Sequence, residues 1–264
     1  PSGPRSRGSS IAARSLRSDP ARALKPGAGA AILPAAIHSR PPPAEPCLNP
    51  IPSESVPVLE LHDVRCERDD RVLFEDLDLR LAAGGAVQLR GANGTGKTTL
   101  LRCIAGLHPD HDGEIRVRGG GPGAGMLFIG HRPGISASLT AGENLAWYQQ
   151  LSGFRRDARV LSAALARVGL PGWEDVPCVQ MSAGQQRRVA LARLVMPSEP
   201  ASLWLLDEPF TALDDAGFEL VVELIREQLA RGGAVLFATH QPVTDLPGLR
   251  TLRLAPRGAT LEAA

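Results

Sequence analysis

Residues 91–98 constrain this chain more than any other segment. Their sequence, Gly-Ala-Asn-Gly-Thr-Gly-Lys-Thr, fits the pattern G-x-x-x-x-G-K-[S/T] of a phosphate-binding loop. A strand-like apolar run precedes the loop at 86–90, and an apolar run at helical spacing follows it at 99–107. A strand, a glycine-rich loop and a helix in that order are the context that this motif needs. The sequence therefore predicts a nucleotide-binding loop.

The residue types of the loop have chemical reasons. Its glycines allow the backbone to approach an anion closely, so that consecutive N–H groups and the positive end of the following helix face the phosphates. Lys97 is expected to bind the β- and γ-phosphates, and Thr98 to offer its hydroxyl to Mg²⁺. Only two of the 29 basic residues are lysines, Lys25 and Lys97. A planar guanidinium would replace the point charge of Lys97 poorly.

The composition and charge of the chain argue against a membrane-spanning protein and against a nucleic-acid-binding one. The 264 residues, 43% of them hydrophobic, suffice for one large domain or two small ones. No run of 18 apolar residues occurs, so the sequence predicts no membrane-spanning helix. Residues 1–50 hold seven basic and two acidic residues, whereas the remainder holds 22 basic and 26 acidic ones. The body of the chain therefore has no net positive charge to attract nucleic acid, and we expect no nucleic-acid partner.

The ends of the chain and its cysteines give weaker signals. Residues 1–56 are rich in Pro, Ala, Ser and Arg, and we interpret them as a disordered or non-native N-terminal extension. An organelle transit peptide is the alternative, because this segment is rich in Arg and Ser and poor in acidic residues. The four cysteines show no C-x-x-C spacing, so they are expected to be free thiols, with Cys103 buried.

Hydrophobic periodicity predicts alternating strands and helices. Besides the strand before the loop, we expect strands near 59–64, 71–81, 113–118, 126–129, 203–206 and 234–239. The run 126–129 is expected to be buried, and 234–239 to be the last core strand. We expect helices that begin at Thr140, with Glu143 completing a capping box, over 158–168, at Ser182 through Leu194 and over 213–229.

A second group of polar residues follows the predicted strand 203–206. Asp207 and Glu208 come directly after its four apolar residues. In P-loop ATPases an acid in this place holds Mg²⁺, and a carboxylate beside it can orient or deprotonate the attacking water. The alternative is an ordinary acidic turn. His240 follows the strand 234–239 and is expected to contact the γ-phosphate.

Motifs at four places then resemble one family. Residues 181–185, Met-Ser-Ala-Gly-Gln, resemble the LSGGQ signature of ABC transporter ATPases, and they lie upstream of the segment 203–208 as in that family. Residues 211–214 resemble the D-loop of the family and Thr239-His240 its switch histidine. The resemblance implies an α/β P-loop NTPase with a RecA-like core, an antiparallel β subdomain and a helical subdomain near 135–195. The ATP-binding domain would span 57–256, and 257–264 would be a C-terminal tail. It also implies a homodimer that clamps two ATP molecules head to tail.

Two positions depart from the general family pattern. His131 stands where the family has its Q-loop glutamine, and Arg68 stands near the place of the aromatic residue that stacks on adenine. A guanidinium plane can also stack on a base, whereas Phe74, the nearest aromatic residue, is not expected to align. With these two positions, the segments 128–135, 182–188 and 206–214 resemble the ATP-binding subunit of the cytochrome c maturation heme exporter. That resemblance implies integral membrane permease subunits as partners, at the cytoplasmic face of the inner membrane.

The site that follows from the motifs and the resemblance has three parts. The catalytic residues are expected to be Glu208, His240 and Lys97. The ATP-binding residues are expected to be Gly91, Ala92, Asn93, Gly94, Thr95, Gly96, Lys97, Thr98, Thr99, Arg68, Ser182, Gly184 and Gln185. The metal, Mg²⁺, is expected at Thr98, Asp207 and His131.

Other functions remain open at this point. One is a soluble ABC ATPase that acts as an assembly or nucleic-acid-associated factor. A non-catalytic nucleotide-binding regulator is disfavoured, because Lys97, Asp207, Glu208 and His240 are all present. Residues 131–148 are expected to contact the permease through Trp147, since large amphipathic aromatics are favoured at interfaces. Alternatively, Trp147 packs inside the helical subdomain near 135–195, which we call the helical lobe.

Overall fold

The computed structural model describes residues 57–119, 125–196, 203–243, 245–255 and 259–263. The predicted N-terminal extension, residues 1–56, lies outside the described residues. Among the described helices, none combines the length and the apolar character that crossing a membrane requires. The described residues of unit 50–264 form two sheets and five α-helices.

A three-stranded antiparallel sheet consists of β1 (Leu59–Arg68), β2 (Arg71–Leu81) and β4 (Asp112–Val117), in the order β2-β1-β4. The hairpin between β1 and β2 turns at Asp69 and Asp70, whose φ angles are 53° and 57°. A two-residue hairpin loop with two positive φ angles matches the twist of the strands, and aspartate tolerates this conformation better than most residues. In β2 the residues from Leu77 onward alternate between buried and exposed, as the period of two predicts.

The second sheet has six strands in the order β5-β6-β7-β3-β8-β9. Its members are β3 (Ala86–Arg90), β5 (Met126–Ile129), β6 (Leu203–Asp207), β7 (Ala234–Ala238), β8 (Leu249–Leu254) and β9 (Ala259–Ala263). Its neighbouring strands are parallel except for β9, which pairs antiparallel to β8. Every residue of β6 and β7 is buried, because a central parallel strand is covered on both faces.

Two predictions about strands were wrong. The run 126–129 forms a strand, β5, but only Ile129 is fully buried, because β5 is an edge strand of the sheet. The strand at 234–239 is not the last one, since β8 and β9 follow it. Residues 259–263, assigned to a tail, pair with β8 instead. Short arginine-containing segments such as β8, Leu-Arg-Thr-Leu-Arg-Leu, carry a weak strand signal.

Five α-helices join the strands. They are α1 (Lys97–Ile104), α2 (Ala141–Leu151), α3 (Ala158–Arg167), α4 (Ala183–Leu191) and α5 (Asp215–Ala230). Both predicted capping residues are confirmed: Thr140 caps α2 and Ser182 caps α4, each in a reciprocal capping box. The helix predicted from Ser182 to Leu194 is α-helical only to Leu191 and continues as a 3₁₀ turn over Ala192–Leu194.

The core lies on both faces of the six-stranded sheet. Trp204 and Leu206 of β6 pack in a cluster with α2, α3, α4 and α5, whereas Leu203 and Leu205 pack with α1 and the three-stranded sheet. This division follows from the alternation of side chains along a strand. The helical lobe and the antiparallel sheet therefore cover opposite faces of one sheet, and the carboxyl ends of β3, β6 and β7 lie between them.

Candidate nucleotide site

The glycine loop follows β3 and leads into α1. Gly91, Gly94 and Gly96 have φ angles of 155°, 80° and 95°, and Gly96 caps α1. A Cβ at Gly91 would lie 2.8 Å from the Leu254 carbonyl oxygen, and one at Gly96 would lie 3.0 Å from the Phe74 ring. Glycine is therefore required at both positions by conformation and by space.

Lys97 lies inside the curl of this loop. Its Nζ donates to the carbonyl oxygens of Gly91, at 2.8 Å, and Ala92, at 3.1 Å. Burial lowers the pKa of Lys97, and the nearby carboxylates of Glu208 and Asp207 act in the opposite direction. The ammonium group is thus held against the backbone of the loop, near the carboxylates of Glu208 and Asp207.

Thr98 and Asp207 meet although they are far apart in the sequence. The Thr98 hydroxyl donates to Asp207 Oδ2 at 2.9 Å. Asp207 ends β6 and is only 2% exposed, and Thr98 lies in the first turn of α1, which follows β3. An oxygen pair of this kind is the ligand chemistry that Mg²⁺ prefers.

Glu208 and His240 lie at the ends of neighbouring strands. The Glu208 N–H donates to the carbonyl oxygen of Ala238, the last residue of β7, at 2.9 Å. Glu208 has a φ of 52°, an uncommon conformation for a non-glycine residue. Its Oε1 lies 3.6 Å from His240 Nε2. Backbone geometry of this kind recurs at functional sites, where the fold holds one side chain in a fixed direction.

One open cavity of about 850 Å³ gathers most of the predicted site. The predicted residues that line it are Arg68, Asn93, Gly94, Gly96, Lys97, Thr98, Thr99, His131, Asp207, Glu208 and His240. Five further lining residues were not among the predicted site residues: Thr211, which begins the segment that resembles the D-loop, and Asp69, Arg71, Leu73 and Gln241. Each of the five lies within five residues of a predicted one, so proximity to the motifs is the signal that was available.

Arg68, the predicted base-stacking residue, and Phe74, the nearest aromatic residue, differ in their exposure to solvent. Arg68 is exposed at the rim of the cavity, where its Nε lies 3.4 Å from Asp69 Oδ2. Phe74 is completely buried beneath Gly96. Arg68 is therefore accessible to a base, whereas the ring of Phe74 belongs to the core.

The signature residues lie outside this cavity. The hydroxyl of Ser182 accepts from the Gln185 N–H at 3.2 Å, and Gln185 Oε1 accepts from the Ser182 N–H at 2.9 Å. A Cβ at Gly184 would lie 2.6 Å from the carbonyl oxygen of Ala212, so the glycine allows α4 to approach the D-loop segment 211–214. The structure thus places Ser182, Gly184 and Gln185 together with that segment, but not with Lys97.

Arg187 is a residue that the motif analysis passed over. It lies on α4, is 3% exposed, and burial lowers its pKa against the opposing effect of Asp207 and Glu208. Its guanidinium donates to the backbone carbonyl oxygens of Gly130, His131, Asp207, Glu208 and Pro209. Arginine presents five donors in a rigid fork, which suits a cluster of carbonyl groups. The signature helix is therefore tied to the carboxyl ends of β5 and β6.

A phosphate-binding loop, two acids at the end of β6 and a histidine after β7 define a P-loop ATPase of the ABC type. The family model of ABC transporters matches residues 74–211. A cytochrome c biogenesis ATP-binding export protein CcmA from Saccharophagus degradans is 47% identical over 205 residues, which are 73% of this chain and 91% of that protein. A protein of the same name from Pseudomonas fluorescens is 48% identical, over 75% of this chain and 96% of its own length.

Solved structures agree with this assignment. The ATP-binding subunit of an ABC transporter superposes with a TM-score of 0.70 at 25% identity, covering 78% of this chain and 90% of that subunit. A putative ABC transporter ATP-binding protein from Pyrococcus furiosus gives a TM-score of 0.63 at 25% identity, over 73% of this chain and 96% of its own. The chain belongs to the ABC transporter family, within the group of cytochrome c biogenesis ATP-binding export proteins, and the predicted fold class is confirmed.

Proposed function

We propose that this chain binds and hydrolyses ATP as the ATPase subunit of a membrane transporter in c-type cytochrome biogenesis, with heme as the transported group. The observation that carries the proposal is the convergence of Lys97, Thr98, Asp207, Glu208 and His240 on one cavity. The relatives named as cytochrome c biogenesis export proteins favour this function over an assembly or nucleic-acid-associated factor.

The residues of the cavity suit a triphosphate with Mg²⁺. Backbone N–H groups of the loop would face the phosphates, and Lys97 would bind their oxygens in exchange for the Gly91 and Ala92 carbonyls. Thr98 and Asp207 offer a hard oxygen pair for Mg²⁺, with the His131 side chain in the same cavity. When bound, the ion neutralises charge on the β- and γ-phosphates.

Glu208 is assigned the role of general base. A carboxylate beside the γ-phosphate position can take a proton from the attacking water, and His240, 3.6 Å from Glu208, can hold the γ-phosphate or that water. The unusual backbone angle of Glu208 and the hydrogen bond from its N–H to Ala238 hold its backbone in place at the end of β6.

The signature residues imply a second copy of the chain. Ser182, Gly184 and Gln185 form the N-terminus of α4, but this N-terminus lies outside the cavity of its own chain. In a head-to-tail homodimer it would face the γ-phosphate bound to the partner copy, with its amides and the positive end of the helix dipole toward that phosphate.

We place the contact with the integral membrane permease on α2. Trp147 is 53% exposed, and Leu151, one helical turn further along the same helix, is 65% exposed. This exposure argues against the alternative that Trp147 packs inside the helical lobe. The proposed location is the cytoplasmic face of the inner membrane, where ATP and the permease are both available.

Affinity purification from membranes tests the assignment as a transporter subunit. The tagged full chain should recover an integral membrane protein together with ATP-hydrolysing activity. Recovery of nucleic-acid-binding or assembly proteins in place of a membrane protein would contradict the transporter assignment, and absence of turnover in the recovered complex would contradict the ATPase assignment.

A further inference from the structure

Three potential metal ligands converge outside the nucleotide cavity. A sulfur atom from Cys66, a sulfur atom from Cys103 and a ring nitrogen of His108 all lie within 4.8 Å of one another. Cys66 lies on β1, Cys103 on α1, and His108 in the loop after α1. Residues from three different elements are thus brought together by the fold, and the ATP site uses none of them.

The histidine of this cluster has an unusual environment. Among the described residues, His108 Nε2 is the one buried side-chain nitrogen or oxygen atom for which no hydrogen-bond partner is found. Leaving a buried polar atom unsatisfied destabilises a folded protein, so this nitrogen calls for a specific explanation such as a bound ion. A metal ion held by the two sulfurs and by Nε2 of this imidazole would give this nitrogen a partner.

The two cysteines are buried and close enough to affect each other. Burial raises the pKa of both thiols, that of Cys103 to about 12, with the neighbouring Cys66 adding to the effect. Cys66 Sγ also contacts the Asp110 carbonyl oxygen at 3.5 Å. Zinc binds cysteine as the thiolate, so metal binding at this pair must release two thiol protons to solvent.

We propose that Cys66, Cys103 and His108 bind one Zn²⁺ ion that ties β1 to α1. Two thiolates and an imidazole are the ligand types that zinc prefers, whereas Mg²⁺ and Ca²⁺ take oxygen ligands. Three protein ligands leave the fourth tetrahedral position to a water molecule. The site is separate from the oxygen ligands Thr98 and Asp207, so it does not depend on the proposed transport function.

The position of the cluster gives the ion a structural consequence. Arg68 lies two residues after Cys66, and Lys97 begins the helix that carries Cys103. A zinc bridge would therefore fix the two elements that supply the rim and the floor of the nucleotide cavity. Because an ion that binds only the folded state stabilises it, zinc is expected to raise the melting temperature of the chain.

Cobalt substitution tests the proposal directly. The reduced, metal-stripped full-length protein is titrated with Co²⁺, which reports thiolate ligands by a near-ultraviolet charge-transfer band and tetrahedral geometry by visible bands. We expect one Co²⁺ per chain, displaced by Zn²⁺. Cys66→Ala and Cys103→Ala should lose the bands, and His108→Ala should weaken binding by more than the roughly 10- to 100-fold that loss of an outer-shell partner costs.

Two matched controls separate this site from other metal sites. Cys178 is a buried free thiol outside the cluster, so Cys178→Ala should keep the full cobalt spectrum. Asp207→Asn removes a predicted Mg²⁺ ligand and should also keep the spectrum. Melting curves without metal identify any variant that fails to fold; if Cys103→Ala does so, Cys66→Ala and His108→Ala decide the outcome.

Three results would overturn the zinc site. The first is a wild-type chain that shows no thiolate band with Co²⁺, and the second is a band that persists when Cys66 and Cys103 are both replaced. The third is a melting temperature that zinc raises equally in the wild type and in Cys66→Ala. When the first result is found and mild oxidation also links Cys66 to Cys103, the cluster is a redox pair and not a metal site.

Discussion

The loop at 91–98 and the segment at 181–185 both precede the N-terminus of a helix, but they differ in their surroundings. The loop opens into a cavity, where Lys97, Thr98 and the acids of β6 surround its amides. The segment at 181–185 has its side chains occupied by its own capping box and lines no part of that cavity. The N-terminus of α1 is therefore part of a phosphate site formed within one chain, whereas the N-terminus of α4 is not.

This difference shows which half of the site is incomplete in a single copy. The half around Lys97 contains a charge, a metal-ligand pair and a candidate base. The signature half offers only amides and a hydroxyl, which bind an anion but do no chemistry on it. ATP binding is thus expected of the monomer, whereas turnover is expected to require the second copy, and the variants below test that division.

The largest effect is expected from Glu208→Gln. Without a general base, ATP turnover should fall by about 10²- to 10⁴-fold, while ATP binding persists because Lys97 and the loop are intact. The variant should accumulate as an ATP-bound dimer. Phosphate release measures the first effect, and gel filtration with and without ATP measures the second.

The matched control for Glu208→Gln is Lys97→Ala, which should lose tight nucleotide binding and therefore form no ATP-dependent dimer. Turnover close to that of the wild type in Glu208→Gln would show that another group activates the water. If both variants formed a dimer without ATP, the expectation that ATP bound around Lys97 brings the two copies together would be wrong.

Arg187→Ala should have the next largest effect, because it breaks the link between the two halves within one chain. Five backbone carbonyl groups lose a shared donor. We expect a loss of about 3 kcal/mol in the free energy of unfolding, and hence a fall of about 6–12 °C in melting temperature. Turnover should fall through kcat rather than KM, since the Asp207 and Glu208 backbone is displaced.

Arg187→Lys and Arg188→Ala serve as controls. Lysine keeps the charge but not the fork, so it should restore only part of the stability. Arg188 donates instead to the Val168 carbonyl and to Asp214, away from the cavity, and its removal should leave kcat largely unchanged. Equal losses of kcat in Arg187→Ala and Arg188→Ala would exclude a specific positioning role for Arg187.

Ser182→Ala is expected to have an intermediate effect and has a precise control in Thr140→Ala. Each substitution removes a capping box at the start of a helix, so each should cost about 1 kcal/mol of stability. Only Ser182→Ala should also reduce turnover, by roughly tenfold, because in the proposed dimer the Ser182 hydroxyl would donate to the γ-phosphate held by the partner copy. Melting curves and phosphate release on both variants distinguish the two effects.

ATP binding to monomeric Ser182→Ala should stay at the wild-type level. If Thr140→Ala lost as much turnover as Ser182→Ala, the loss would follow from helix capping alone, and the signature segment would have no special part in the site.

The sequence predicted the catalytic half of the fold well because its elements carry local signals. The glycine loop, the strands at 86–90 and 203–206, the capping box at Thr140 and the helix cap at Ser182 are defined by residues close together in the chain. What sequence reasoning missed depends on distant partners. Arg187 gains its role from carbonyls 20 to 57 positions away, and the partial exposure of β5 follows from its place at the sheet edge.

The C-terminal strands were missed for a related reason. β8 and β9 are short, and β9 lies within residues 257–264, which were assigned to a tail. Their pairing is set by β3, which offers β8 a free edge in the six-stranded sheet. The cluster of Cys66, Cys103 and His108 likewise has no spacing that marks it, because its members come from a strand, a helix and a loop.

The helical lobe and the region around α1 both carry an exposed apolar side chain. Trp147, on α2 of the helical lobe, is 53% exposed, and Leu107, after α1 beside the catalytic half, is 61% exposed. Trp147 contacts Tyr148 edge to face, and Tyr148 in turn packs against Arg193 and donates to the Gly134 carbonyl. Trp147 is thus supported in one position at the surface, which is the property of an interface anchor.

Trp147→Ala should therefore abolish recovery of the membrane subunit in a pull-down. The free energy of unfolding should change by no more than about 0.5 kcal/mol, the range of surface substitutions. ATP binding should be unchanged. Leu107→Ala should leave recovery unchanged. Because Trp147 is about half exposed in the isolated chain, a large fall in the melting temperature of Trp147→Ala would mean that the ring is structural. Intact recovery with Trp147→Ala, or equal losses with Leu107→Ala, would place the permease contact elsewhere on the chain.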